Sequence, residues 1–120
     1  MSALALARAA LKAYADKDRA AIEALVGDGF HFTSPLDNRL DRATYMQRCW
    51  PNSQHIDGFE ERVASETGDT AIIVYEARAG GHRFCNCEVY RARDGKLVSV
   101  EVYFGWDLPH RAPEGGFIDG

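Results

Sequence analysis

The chain has 120 residues, which suits one compact domain with a core large enough to need no disulfide or metal staple, and leaves no room for a second. A hydrophobic fraction of 46% and a charged fraction of 27% exclude a disordered or low-complexity chain. The formal charge of −4 speaks against a nucleic-acid footprint, which needs a basic face.

The opening MSALALARAALKAY sets Leu4, Ala7, Leu11 and Tyr14 at helical spacing. Arg8 and Lys12 interrupt its apolar run too early for a signal-peptide core or a membrane span. After the polar ADKDR, Ile22, Leu25 and Val26 mark a second helix, which the GDG at 27–29 is expected to stop. FHFTS alternates, so Phe30, Phe32 and Ser34 share one face of a strand that ends at Pro35. Asp41 is placed to cap a third helix, RATYMQRCW, closed by Pro51. From Ile56 the period changes to two. Strands are predicted near 57–66, 70–79, 82–92 and 96–105, joined at Gly-Asp, Gly-Gly and Asp-Gly pairs that tolerate positive φ. The tail DLPHRAPEGGFIDG reads as an extended flap over 107–120, outside a core of about 3–106.

Helices followed by an antiparallel meander give an α+β domain, with N-terminal helices on one face of a curved sheet. In AIIVYEARA, Ile73 and Tyr75 point one way and Ile72 and Val74 the other, so both faces of that strand call for burial. The helices cover one face. With Cys85, Cys87 and Val89 on the outer side of the next strand, this predicts an isologous homodimer through the sheet.

Three cysteines, at 49, 85 and 87, form no disulfide framework, and a reducing cytoplasm is the expected location. His82 with Cys85 and Cys87 makes a weak zinc pattern, and a small buried hydrophobe is the commoner role of a free cysteine. No phosphate loop, dinucleotide fingerprint, nucleophile elbow or HExxH occurs, so neither metal nor organic cofactor is expected.

The chemistry therefore rests on alternation. If Phe32 and Ser34, then Tyr75, then Asn86, Glu88 and Tyr90, then Val98, Val100, Val102 and Phe104 all face the helices, they line an apolar cup holding few polar groups. Trp50, after the third helix, is expected in the same wall. A carboxyl in such a cup has its pKa raised by desolvation. The opposing register, slipped by one, puts Glu88 on a solvated face with Arg78, Arg91 and Glu101. Asp37 and His55 lie near the cup's expected mouth, where Asp37 reads as a turn residue beside Pro35 and Asn38, and His55 as a loop residue.

The order of elements, the strand exit TSPLDN and above all CEVYRARDGKLVSVEVYFGW resemble the nuclear transport factor 2-like superfamily, over about residues 3–106. Within it the chain is most similar to SnoaL-like bacterial proteins, relatives of polyketide cyclases and ketosteroid isomerase. The resemblance implies a cone-shaped (cystatin-like) fold with a pocket between sheet and helices. It sets Glu88 where ketosteroid isomerase has a protonated aspartic acid, Ser34 at its general-base position and Ala10 near its helix tyrosine. With base and tyrosine both replaced, steroid isomerisation by that mechanism is not implied. In the cyclases an acid in the cone transfers the proton, a role open to Glu88. The expectation is an isomerase, cyclase, dehydratase or hydrolase acting on a small apolar molecule, with Glu88 and Ser34 catalytic and Phe32, Trp50, Tyr75, Asn86, Tyr90, Val102 and Phe104 binding. The alternative is a non-catalytic ligand-binding or dimerisation module of the same fold.

Overall fold

The computed structural model describes residues 1–106. The flap expected over 107–120 lies outside the described residues. Helix α1 (Ala3–Asp16) begins where the Ser2 hydroxyl accepts from the Ala5 amide, and ends at Lys17, which turns left-handed at φ 57°. Its buried side is Leu6, Ala7, Ala10 and Ala13. Small alanines let the helix lie close to the sheet, while Leu4, Leu11 and Tyr14 pack at the edge of the core.

Helix α2 (Arg19–Leu25) is capped by Asp18. The GDG at 27–29 stops no helix. It lies within strand β1 (Val26–Ser34), because Val26 is buried opposite Leu97 and draws the chain into the sheet directly after Leu25. A short strand β2 (Asp37–Asp41) pairs antiparallel with β1. Its sequence, DNRLD, has one apolar residue and so no alternation to announce it. Asp41 caps helix α3 (Arg42–Arg48) by accepting from the Thr44 amide. Pro51 does not close that helix. It opens a 3₁₀ helix, η1 (Trp50–His55), at a position where its missing N–H has no partner to lose.

Strands β3 (Ile56–Thr67), β4 (Thr70–Ala79), β5 (His82–Arg93) and β6 (Lys96–Phe104) follow as antiparallel hairpins. Gly68, Gly80, Gly81, Asp94 and Gly95 take the positive φ that their tight turns require. The order across the sheet is β2-β1-β6-β5-β4-β3, and β1 runs parallel to β6. The sheet is thus mixed, where local alternation suggested an antiparallel one. Parallel neighbours need a long connection, here everything from β2 to β5, and no local pattern reports such a pairing.

One irregularity shapes the inner face. Arg91 pairs with Ser99 but Ala92 with Leu97, so Val98 is the extra residue of a bulge in β6. Leu97 and Val100 both reach the inner side in consequence, and Val98, expected there, does not. Beyond Phe104 the chain stays on β5, with the Gly105 amide donating to the Cys85 carbonyl at 2.8 Å and the Cys85 amide to the Trp106 carbonyl at 3.0 Å. A Cβ at position 105 would lie 2.5 Å from the Cys85 oxygen, so only glycine fits. This close approach leaves Cys85 buried rather than on an open outer face.

Among the described residues no helix is long and apolar enough to cross a membrane, and no group of three or more His, Cys, Asp or Glu side chains is placed to hold a metal.

Candidate functional site

Three rows of cross-strand neighbours make the floor of a cavity between sheet and helices. Tyr75 of β4 lies opposite Asn86 of β5, which lies opposite Phe104 of β6. The next row is Ile73, Glu88 and Val102, and the third is Ala71, Tyr90 and Val100. Because side chains alternate across a strand, Asn86, Glu88 and Tyr90 project to the same inner side. The cavity measures about 180 Å³ and also receives Phe30, Phe32 and Ser34 from β1, Tyr14 from α1 and Tyr45 from α3.

Glu88 is half-buried, on the cavity side. The register slipped by one, which would have put it with Arg91 and Glu101, does not occur: those two pair with each other at 2.7 Å on the opposite face. Tyr75, its diagonal neighbour across the strands, donates its hydroxyl to one Glu88 carboxyl oxygen. Tyr90, two residues along the same strand face, donates to the other at 2.9 Å. The Asn86 amide approaches the Tyr75 oxygen at 3.4 Å, closing a chain that runs from Asn86 through Tyr75 to Glu88. Glu88 is thereby the acceptor on which the donors converge. Burial pushes its carboxyl pKa up, against the pull of the two tyrosine hydrogen bonds. Burial also raises both tyrosines well above their usual range, and the nearby Glu88 charge adds to it, so they stay protonated and remain donors.

A second polar pair sits on the helix side. The hydroxyls of Tyr14 and Tyr45 are 2.5 Å apart, and burial raises both their pKa values. Alternation in the strands could not reveal this pair. The available signal was a tyrosine within each apolar helical segment, since a buried tyrosine hydroxyl needs a partner.

Of the residues expected in the cup, Phe32, Ser34, Tyr75, Asn86, Glu88, Tyr90, Val102 and Phe104 all line the cavity. Trp50 does not. It is buried behind Tyr14, edge to face with its ring at 4.9 Å, because η1 turns it away from the opening. Asp37 is more than a turn residue, since it lines the cavity and accepts the Ser34 hydroxyl at 2.9 Å. Ser34 also accepts from the Leu36 amide, so its hydroxyl is engaged on both counts at the β1–β2 turn. His55 ends η1 and is exposed, away from the wall. Phe59 and Phe84 complete the wall from β3 and β5. The Cys49 thiol also lines it, and burial with the Asp37 charge pushes its pKa up to about 12, which disfavours the thiolate.

Solved structures share this fold. A nuclear transport factor 2-like protein of unknown function from Cytophaga hutchinsonii superposes with a TM-score of 0.76 at 18% identity, over 88% of this chain and 91% of that one. The chain has the nuclear transport factor 2-like fold. Within that fold, an M. tuberculosis LEH-like epoxide hydrolase matches with a TM-score of 0.70 at 20% identity, over 86% of this chain and 78% of that one. A candidate ketosteroid isomerase from Kribbella flavida matches with a TM-score of 0.72 at 16% identity, over 97% and 87% respectively. No protein-family model and no curated protein matches the chain. Nuclear transport factor 2-like folds with these different names share the architecture, so the reaction has to be argued from the cavity of this chain.

Proposed function

We propose that this protein binds a small, largely apolar molecule in the cavity and transfers a proton on it, with Glu88 as the group that carries the proton. The observation behind this reading is the convergence of Tyr75 and Tyr90 on a Glu88 carboxyl that has no ion pair among the described residues. A carboxylate made more basic by burial is a suitable general base. The adjoining tyrosine hydroxyls are suitable donors to a carbonyl or hydroxyl oxygen on which negative charge develops. A ligand oxygen set over this group would meet donor and base side by side. Ser34, held by Asp37, orients the turn at the cavity wall.

The test is exchange of protons alpha to the carbonyl in a panel of small apolar ketones, followed by NMR in heavy water. Wild-type protein is expected to accelerate exchange in at least one member, and Glu88→Gln to lower that rate by about 10²–10⁴-fold. Binding of panel members without exchange would instead favour a ligand-binding module.

The outer sheet face supports pairing of two copies. Val63 of β3, Val74 of β4, Cys87 of β5 and Tyr103 of β6 form one row straight across the sheet, with Ile72 and Val89 in the next. Val63 is 61% and Tyr103 53% exposed, so the row is an apolar stripe that none of the described residues covers. Glu76 with Arg83 and Arg62, and Glu101 with Arg91, border it with both signs of charge. In the proposed dimer this face packs against its own copy about a two-fold axis. Sedimentation at micromolar concentration should show a dimer for the wild type and a monomer for Val74→Glu, which would place a charge in the desolvated centre. A monomeric wild type refutes the pairing.

A further inference from the structure

We infer that the ligand of this cavity carries a positively charged nitrogen within an apolar frame, a quaternary ammonium or protonated tertiary amine, and that Glu88 is its counter-charge. This rests on the reading of the cavity as the ligand site and specifies the class of ligand it takes.

The charges around the cavity favour a cation. Glu88 and Asp37 both line the cavity, and no Lys, Arg or His stands among its described wall residues. A ligand carboxylate or phosphate would face two acids with no cation to offset them. Glu88 has tyrosine donors but no ion pair among the described residues, and a carboxylate withdrawn from water without a cation is an expensive arrangement that a cationic ligand would relieve. The Asn86 Oδ1 adds a buried acceptor with no hydrogen-bond partner among the described residues.

The walls favour a cation as well. Phe32 and Tyr45 present rings with centroids 5.1 Å apart on one side, and Phe59 and Tyr75 stand edge to face at 5.1 Å on the other. Tyr75 and Tyr90 direct their hydroxyls to Glu88, and Tyr45 pairs with Tyr14. The ring faces are a further means of recognition, since the face of an aromatic ring attracts a cation, most strongly where water is excluded. Alkyl groups on the nitrogen would bury against the same rings, which an inorganic cation or a primary ammonium ion cannot do as well.

Calorimetric titration with three probes of matched shape tests this: choline, its neutral carbon isostere neohexanol and the anion tert-butylacetate. Choline is expected to bind at least about tenfold more tightly than neohexanol, with no binding of the anion. Glu88→Gln should bring choline to within about twofold of neohexanol. Phe32→Leu, which keeps apolar volume and removes one ring, should reduce the preference several-fold and serves if the first variant fails to fold. Neohexanol or the anion binding as tightly as choline would overturn the inference and leave the cavity as a ligand site. Failure of all three probes to bind would overturn both.

Discussion

Glu88→Gln is expected to be more stable than the wild type at neutral pH, and the difference should vanish in acid. The sign follows from burial, which raises the folded-state pKa of Glu88, so the folded protein holds the proton more firmly than the unfolded chain does. Below the unfolded value of about 4.3 the carboxyl is neutral in both states and the wild type keeps its full stability. As pH rises through the folded-state value, the carboxylate must be held away from water and stability is lost, about 1.4 kcal/mol for every tenfold difference in proton affinity between the folded and unfolded states. Glutamine is neutral throughout and of nearly the same shape, and the Tyr75 and Tyr90 hydroxyls can reorient to serve its amide. Urea unfolding of both proteins across pH 4 to 8 measures the gap. A gap that is flat with pH would mean that Glu88 is solvated and would remove the basis for its role. The same substitution is expected to lower proton exchange, so stability and activity should move in opposite directions, the signature of a residue kept for function.

Ile73→Ala should destabilise the fold by about 2–5 kcal/mol, whereas Ile72→Ala, one residue away, should change the stability of the monomer by no more than about 0.5 kcal/mol. Ile73 has no exposed surface, lying between Ala64 of β3 and Glu88 of β5 in the core cluster that also contains the buried side of α1. Ile72 points to the outer face and is 41% exposed. Chemical denaturation at submicromolar concentration separates the two, and repeating it at high concentration shows whether Ile72 matters once copies pair. Equal losses at both positions would contradict the assigned faces of β4.

The contrast between these neighbours is legible in the sequence. Period-two alternation located β3 to β6 within one or two residues, and it set Asn86, Glu88 and Tyr90 on one face, because the pleat makes alternation a local property. Capping by Asp41 was equally local, one carboxylate accepting from an amide three residues on. Val98 was misplaced because a bulge breaks alternation without any mark in the residues LVSV. Trp50 departs from the wall because the turn of η1, and not the residue's hydrophobicity, sets its direction. Tyr14 and Tyr45 meet across 31 positions of chain, and β1 reaches β6 in parallel only after every element from β2 to β5 has been laid down between them.

The sequence by itself determined α1, the strands β3 to β6, the apolar inner face and the acid at its centre, since each depends on residues within a few positions of one another. The tertiary structure alone decided that two tyrosines converge on Glu88, that Asp37 joins the wall and that no cation does among the described residues. Those facts depend on which strands pair and in what register, a choice made by many small contacts summed over the whole chain.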